Sequence, residues 1–343
     1  MTIPQRQKLP IPDHFDAKKV GEVWRVPYQQ RATEAKTWTK QHSIQPAATD
    51  KMRVCLLLID VQNTFCIPEF ELFVGGNSGL AAVEDNIRLC EFIYGNLGNI
   101  SQVIVTLDTH TAMQIFHPIF WVNDKGEYPE PATLIQFEDV QSGVWKVNPG
   151  VAESLAGGDY QTLEKHALHY TQQLTDSGRF PLTVWPYHSM LGGIGHALVS
   201  AVEEAIFFHN ISRQTQAKFE LKGDHPLTEN YSVFKPEVLE SFAEGLITAK
   251  NHRLIKNVLE FDRVIIAGQA KSHCVAWTVE DLLTEIQKRD ANLAQKIYLL
   301  EDCTSPVVVP GIVDYTEQAE TAFKRFAEAG MNRVKSTEIL SGW

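Results

Sequence analysis

Residues 265–277 of this 343-residue chain read IIAGQAKSHCVAW. The apolar residues at its start predict a buried strand, Gly268 predicts a tight turn, and Cys274 stands where a helix is predicted to begin. A thiol at the start of a helix meets unpaired N–H groups and the positive end of the helix dipole, which favour a thiolate. A single cysteine after a core strand is more often an inert buried residue. The role of Cys274 therefore depends on what the other strand ends carry.

Two further apolar runs predict strands of the same parallel sheet. Residues 54–61 are apolar apart from Asp60, and residues 102–108 form a second run that ends at Asp108. Such runs are typical of strands that are covered on both faces. Between them, residues 77–97 have apolar residues at helical spacing, so the three elements predict a right-handed strand–helix–strand unit. Ligands gather beyond the carboxyl ends of strands in such sheets, where both acids fall.

The alternation of helices and strands predicts one doubly wound, three-layer α/β/α domain with a mostly parallel sheet over residues 51–343. Residues 1–50 are polar, and we expect an extension that wraps the domain or a partner subunit, with a short helix near residues 31–40. Residues 122–183 are too long for an ordinary connection, so we expect a functional loop or an added subdomain with a helix near residues 160–174. The other predicted elements are helices at 195–210, 236–259, 275–294 and 313–329, and strands at 219–223, 263–268 and 296–302.

The composition argues against several classes of protein. Lys and Arg total 31 against 42 Asp and Glu, a net charge of -11, which disfavours a surface for nucleic acid or anionic membrane. No apolar run approaches the roughly 20 residues that span a bilayer, and the start of the chain lacks the apolar core of a secretory signal. The five cysteines show no paired spacing, which indicates reduced thiols and hence a cytoplasmic protein. They are Cys55, Cys66, Cys90, Cys274 and Cys303.

The predicted strand ends carry groups that complement one another. Taken singly, a strand-terminal acid is ordinarily a cap or turn residue, and a lone lysine is ordinarily solvated. Together, these groups supply a nucleophile, an acid that handles protons and a cation, which are the parts that acyl transfer needs. The groups are Asp60, Asp108 with His110, Lys222 and Cys274.

Five motifs, in chain order, resemble those of the isochorismatase-like cysteine hydrolases, and of nicotinamidases especially. They are DVQNTF at 60–65 with FVGGNSGLAAV at 73–83, DTH at 108–110, WPYH at 185–188, KG at 222–223 with Glu229, Tyr231, Ser232 and Phe234 downstream, and G-x-A-x-x-x-C-V at 268–275. The resemblance covers residues 54–124 and 184–310. It implies the fold inferred above and a hydrolase that acts on a small carboxamide. No GxGxxG follows the first strand, which argues against a nucleotide-binding dehydrogenase.

A metal site is part of this resemblance. Asp108 and His110 are two residues apart, so on a strand their side chains point to the same side and could share one metal. With His188 they form a His₂-carboxylate set, which suits Zn²⁺ most, or Fe²⁺ or Mn²⁺, with open positions for water or substrate. His117 is a competing ligand candidate. The resemblance implies that the metal anchors a pyridine nitrogen or its bound water and that Phe65 packs on the substrate ring.

The resemblance also implies a mechanism. Cys274 attacks the carbonyl carbon, and Asp60 takes the thiol proton and later delivers it to departing ammonia. Lys222 stabilises the thiolate and the charged acid by mutual attraction. The backbone N–H groups of Ala270 and Cys274 hold the oxyanion, and the peptide bond before Ala270 is cis. Water then hydrolyses the thioester.

Departures from the family pattern leave the substrate open. Thr109 replaces the usual aromatic residue of the metal motif, Ser189 stands where nicotinamidases often have Cys, and the 122–183 insertion forms either a lid or an oligomer contact. We expect a homo-oligomer that converts nicotinamide to nicotinate and ammonia. Hydrolysis of another small amide or ureido compound is an alternative, as is isochorismate hydrolysis, which needs neither the cysteine nor the metal. The remaining alternative is a catalytically silent binding protein on the same fold.

Overall fold

The computed structural model describes residues 8–178, 180–242, 245–246, 249–309, 311 and 313–338. The helices are α1 (Tyr28–Gln41), α2 (Asn63–Cys66), α3 (Ala81–Gly95), α4 (Phe137–Gln141), α5 (Ala152–Ala156), α6 (Tyr160–Ser177), α7 (Ser200–Arg213), α8 (His252–Leu259), α9 (Ala276–Arg289) and α10 (Thr316–Glu328). The strands are β1 (Val54–Ile59), β2 (Gln102–Asp108), β3 (Trp121–Val122), β4 (Leu134–Ile135), β5 (Lys146–Val147), β6 (Leu182–Thr183), β7 (Lys218–Lys222), β8 (Glu240–Ser241), β9 (Gly245–Leu246), β10 (Arg263–Gly268), β11 (Ile297–Leu300), β12 (Val308–Val309), β13 (Val313–Asp314) and β14 (Asn332–Val334).

Within the described residues, the largest sheet has six strands in the order β14-β11-β10-β1-β2-β7. β1 pairs in parallel with both β10 and β2, and β11 pairs in parallel with both β10 and β14. Leu56 and Leu58 of β1 belong to one core cluster with residues of α3 and α7. Leu57, on the opposite face, is equally inaccessible to solvent. A strand that is buried on both faces needs helices on each side, so the predicted doubly wound α/β fold is confirmed.

The contacts of the chain divide it into two compact units. The first contains the chain up to Leu107, Ala197–Glu220 and the chain from His252 onward; the second contains Asp108–His196 and Leu221–Asn251. In the second unit, residues of the 122–183 insertion bury their apolar side chains together with neighbouring residues. Its core includes Phe116, Phe120, Trp121, Tyr170, Leu174 and Val238. The described residues of the insertion thus contribute to the core of this unit.

The N-terminal extension packs on the first unit, to which it belongs. α1 lies against α7, and Nε of Arg31 donates to Oε1 of Glu204 at 2.7 Å. The backbone N–H of Trp24 donates to the hydroxyl of Ser200 at 2.9 Å. Removing one partner of a well-buried ion pair costs about 3–5 kcal/mol, and both side chains here are largely buried. The extension therefore wraps its own chain, which is one of the two arrangements that the sequence predicts.

The helix predicted for residues 236–259 is wrong for the described residues before His252. Within the described part of this segment the helix is His252–Leu259, where apolar residues recur at helical spacing and are buried. Earlier in the segment, the N–H of Glu237 donates to the carbonyl of Glu229, and the N–H of Asn251 donates to that of Phe234. These bonds hold the chain against the segment that follows β7, and the short strands β8 and β9 lie between them.

The observed ends of two other helices differ from the predicted ones because of local hydrogen bonds. The helix predicted at 195–210 begins only at Ser200, because the N–H of Val199 first donates to the carbonyl of Val61 in extended conformation. The helix predicted at 313–329 begins at Thr316, because Val313 and Asp314 form β13, which pairs antiparallel with β12. β14 is too short for its apolar pattern to predict it. No helix of the described chain is long and apolar enough to cross a membrane.

Candidate active site

The backbone of two neighbouring strands defines the turn before Cys274. Ile59, the last residue of β1, pairs with Gly268, the last residue of β10. Gly268 has φ of +118°, and a Cβ there would lie 2.0 Å from the carbonyl oxygen of Ile59, so no other residue fits. The N–H of Gln269 donates to the same oxygen at 2.8 Å. The peptide bond between Gln269 and Ala270 is cis, as the resemblance implies.

Cys274 lies in a π-helical turn, Lys271–Val275, that leads directly into α9. Its side chain is buried, with 8% of the residue exposed, and Ala270 at the start of the turn is 6% exposed. The predicted strand, turn and helix around the cysteine are therefore present. π-Turns of this kind often occur at functional sites.

Asp60 follows β1 directly and adopts a positive φ of 47°. It is fully buried, its N–H donates to the hydroxyl of Thr106 at 3.1 Å, and that hydroxyl donates back to its Oδ1. Sequence reasoning missed Thr106, which carries no signal beyond its place in a strand. Phe65 lies in α2 and is 9% exposed. Asp60, Phe65, Ala270 and Cys274 all belong to the first unit.

The side chain of Gln269 joins three elements beside the turn. Its Nε2 donates to Oδ2 of Asp85 on α3 at 2.8 Å, and its Oε1 accepts from the N–H of Ser305 at 3.3 Å. Burial raises the pKa of Asp85, which also accepts from Arg88 at 2.8 Å. These buried bonds hold the residue that precedes Ala270. No sequence motif indicated Asp85.

The second unit brings the predicted metal ligands together. Nε2 of His110 lies 2.8 Å from Oδ2 of Asp108, and Nε2 of His188 lies 3.4 Å from the same oxygen. One ligand atom from each of the three residues lies within 4.8 Å of the other two, and all three residues are buried. The structure therefore has a candidate Asp–His–His metal site, although residue 188 is 78 positions or more from the other two.

The tautomers of the two histidines suit a metal. Nδ1 of His110 lies 3.0 Å from the carbonyl oxygen of Gly223, and Nδ1 of His188 lies 2.7 Å from that of Pro186. In the neutral form of each ring, donation at Nδ1 leaves the Nε2 lone pair facing Oδ2 of Asp108. Burial, followed by the charge of His110, lowers the pKa of His188 and favours its neutral form. Lone pairs that face an anionic oxygen are stabilised by a cation between them, so the donor set fits a divalent metal.

Neighbouring groups stabilise the charged form of the Asp108 carboxyl group. Burial alone would raise the pKa of Asp108, but the charges of His110 and Lys222 outweigh burial and hold it well below its usual range. Nζ of Lys222 donates to Oδ1 of Asp108 at 2.7 Å and to the carbonyl of Asn230 at 2.9 Å. Lys222 is 3% exposed and ends β7, as the sequence predicts. Lys222 and the candidate metal ligands are therefore parts of one polar cluster in this unit.

Gly223 makes room for this cluster. Its φ is +83°, and a Cβ there would lie 2.7 Å from Cε1 of His110 and 3.0 Å from Oδ1 of Asp108. Its carbonyl accepts from His110 and also from Nε2 of Gln114 at 2.7 Å. Any larger residue would displace a candidate metal ligand, which gives the Lys-Gly dipeptide of the motif a physical basis.

Two other residues of the motif region lie beside the centre. The ring of His117 packs edge-on to those of His110 and His188, with centroids 6.0 and 6.2 Å away, but the convergent ligand set does not include it. Burial lowers the pKa of His117 to about 3, so it is neutral. Thr109, which replaces the usual aromatic residue, has its hydroxyl 2.9 Å from Nε2 of His196.

Comparisons with known proteins support the fold. No protein-family model matches the chain, and no curated protein sequence matches it. The solved structure of the yeast nicotinamidase bound to the inhibitor nicotinaldehyde is 19% identical, with a TM-score of 0.50 over 82% of this chain and 99% of that one. A nicotinamidase/pyrazinamidase from Acinetobacter baumanii is 17% identical, with a TM-score of 0.48 over 85% and 100%. A Pyrococcus horikoshii pyrazinamidase in complex with zinc is 17% identical, with a TM-score of 0.42 over 82% and 99%.

At this level of identity, the likeness to the yeast structure establishes a shared fold and nothing about activity. The chain has the isochorismatase-like α/β fold, as the sequence resemblance predicts. What the chain does must be argued from its own residues.

Proposed function

We propose that the protein is a metal-dependent cysteine amidohydrolase that acts on nicotinamide or a related small aromatic amide. The observation that carries this proposal is the buried Asp108–His110–His188 donor set, joined to Lys222, in a chain whose Cys274 stands at a strand-to-helix turn. The order of the five motifs supports the same assignment. The fold shared with the yeast nicotinamidase is consistent with it.

The reaction begins with proton transfer from the Cys274 thiol to Asp60. The thiolate attacks the carboxamide carbon, and the backbone N–H groups of Ala270 and Cys274 hold the oxyanion. Asp60 returns the proton to the departing nitrogen, the C–N bond breaks, and ammonia leaves a thioester on Cys274. Asp60 then takes a proton from water, whose oxygen attacks the thioester; the C–S bond breaks to release the carboxylic acid, and Asp60 returns the proton to the Cys274 thiolate.

Lys222 and the metal residues have supporting roles. The resemblance assigns Lys222 to the stabilisation of the thiolate and the charged acid. Asp108, His110 and His188 would hold the metal, and a His₂-carboxylate set suits Zn²⁺. When bound, the metal would polarise a coordinated group and orient the substrate ring nitrogen. Phe65 would pack on that ring.

The direct test is ammonia release from nicotinamide, pyrazinamide, benzamide and a ureido compound, with isochorismate, which contains no nitrogen, followed by its own disappearance. Cys274→Ala should lower turnover by roughly 10³-fold or more, as loss of a nucleophile does. Cys90→Ala, at another buried cysteine, is the matched control. Full turnover in Cys274→Ala would exclude the proposed nucleophile. Elemental analysis, with chelation and re-addition of Zn²⁺, Fe²⁺ or Mn²⁺, tests the metal.

A further inference from the structure

A buried carboxyl group, Glu229, is the centre of a hydrogen-bond network in the second unit. Glu229 is 4% exposed. Its Oε2 lies 2.9 Å from the hydroxyl of Tyr170 and its Oε1 lies 3.0 Å from the hydroxyl of Tyr231. The pKa values of both tyrosines are raised well above the ordinary value by burial, so both hydroxyls remain protonated. None of the three is part of the mechanism above.

One arm of the network comes from the 122–183 insertion. Tyr170 lies on α6 and is fully buried in the core of the second unit. Its hydroxyl also accepts from the backbone N–H of Glu229 at 3.0 Å. A single hydroxyl of the insertion thus bonds both the backbone and the side chain of Glu229. Two bonds from one rigid aromatic side chain fix the position and the orientation of that residue.

The second arm leads to Lys222. Asn230, the residue after Glu229, accepts a hydrogen bond from Nζ of Lys222 at 2.9 Å through its carbonyl oxygen. Tyr170 holds Glu229, and the Asn230 carbonyl lies one residue further along the chain. The position of this carbonyl therefore depends on that of Glu229. A shift of Asn230 would move or release the ammonium, which also bonds Oδ1 of Asp108.

The third arm leads to the metal ligand His188. The hydroxyl of Tyr231 accepts from the indole Nε1 of Trp185 at 3.1 Å, and the backbone N–H of Trp185 donates to the carbonyl of Phe116 at 2.8 Å. Pro186 follows directly, and its carbonyl oxygen accepts from Nδ1 of His188 at 2.7 Å. The network therefore leads to the group that sets the tautomer and orientation of this ligand.

We propose that Glu229 is a positioning residue, and that the insertion acts through Tyr170 and Glu229 as a brace that holds Lys222 and His188 in place. This role deepens the proposed function and rests on it for its catalytic consequence. It gives the insertion a part in the site other than that of a lid, because the contact is made by buried side chains in the core of the unit.

The test compares two substitutions that each remove one hydroxyl from α6. Tyr170→Phe breaks the brace, whereas Tyr160→Phe removes a hydroxyl at the first residue of the helix, which donates to the carbonyl of Val147. We expect Tyr170→Phe to lower kcat about tenfold with little change in KM, because small displacements of catalytic groups act on turnover. Its affinity for Zn²⁺, measured by competition with a chelator, should fall about tenfold, as expected for an outer partner of a ligand. Tyr160→Phe should change neither.

A second pair separates hydrogen bonding from packing at Glu229. Glu229→Gln keeps the shape and polarity of a neutral carboxyl group and should retain most of the turnover and zinc affinity. Glu229→Leu removes the hydrogen bonds at similar size and should reproduce Tyr170→Phe. This pair also tests the positioning role of Glu229 if circular dichroism shows that Tyr170→Phe does not fold. Equal effects of glutamine and leucine would overturn the proposal.

The outcomes distinguish this inference from the function on which it rests. If the wild type releases no ammonia from any amide, the proposed function fails, but a selective loss of zinc affinity in Tyr170→Phe still supports the brace. If Tyr170→Phe and Tyr160→Phe match the wild type in zinc affinity and in kcat, the brace is excluded whatever the substrate is.

Discussion

The turn before Cys274 and the centre at Asp108, His110 and His188 are built in different ways. The turn is defined by backbone, since the carbonyl of the neighbouring strand leaves space only for glycine at Gly268. The centre is defined by side chains from separate segments, and its two histidines are oriented by hydrogen bonds to the carbonyls of Gly223 and Pro186. A site of the first kind should fail when a Cβ is added. A site of the second kind should weaken by degrees as its supporting contacts are removed.

Gly268→Ala should give the largest effect, because it attacks the backbone-defined turn. A Cβ 2.0 Å from the carbonyl of Ile59 forces apart two paired strands of the sheet. We expect a loss of stability on the order of 4 kcal/mol or failure to fold, measured by urea denaturation. Gly79→Ala is the control, since Gly79 also has positive φ (+81°) but has nothing within 4 Å of the new Cβ. Equal losses in the two variants would contradict the steric explanation.

Gly223→Ala should weaken the side-chain-defined centre without unfolding the protein. The added Cβ would lie 2.7 Å from Cε1 of His110 and must displace that ring. Zinc affinity should fall roughly 10–100-fold, the range seen when support of a metal ligand is lost. Gly126→Ala, at a glycine of similar φ (+77°) in open space, should bind zinc normally. A normal affinity in Gly223→Ala would show that the centre can repack.

The stability of the wild type relative to Glu229→Gln should fall as pH rises from about 5 to about 8. Burial and then the charge of Glu237 raise the pKa of Glu229 from 4.5 to about 8. In this range the folded protein keeps a proton that the unfolded chain has released, so stability falls with rising pH. Glutamine has no such proton. Thermal unfolding of both proteins across the range should show diverging midpoints, and parallel curves would contradict the raised pKa.

Asp85→Asn should have the smallest effect, because it alters only the support of the turn. Asp85 holds Gln269 by one buried bond and remains able to accept one as asparagine. We expect kcat to fall about threefold to tenfold, within the range for small displacements of catalytic groups, with KM unchanged. Glu84→Gln on the same helix is the control, because the Glu84 carboxylate accepts from the hydroxyl of Ser78 at the surface. This variant should leave kcat unchanged. A loss of more than about 10²-fold would mean that this turn also depends on side chains.

The two regions also differ in how far the sequence predicts them. The strand, turn and helix around Cys274 are visible in thirteen consecutive residues, because local apolar pattern and one glycine determine them. The pairing of Asp108 with His110 follows from strand periodicity, but His188 is predicted only through resemblance, since it is remote in sequence. Nothing in the pattern indicates Tyr170, which reaches Glu229 across 59 positions.

The helix predicted over residues 236–259 also shows that the sequence pattern does not reveal contacts between distant residues. Its apolar residues suggested one long helix, but tertiary hydrogen bonds from Glu237 and Asn251 to the lysine segment hold most of it in other conformations. Local propensity is a weak guide where a segment is fixed by distant partners. Side-chain networks and segments of this kind can be found only in three dimensions.

The bond between Tyr170 and Glu229 has a consequence for the evolution of this chain. Trimming the insertion back to an ordinary connection would remove α6 and leave a buried carboxyl group without one of its hydroxyl partners, a loss of about 1–3 kcal/mol. A descendant that lost the helix would therefore need a compensating change at position 229. In this lineage, the inserted segment and the acid of the lysine motif are expected to be inherited, or lost, together.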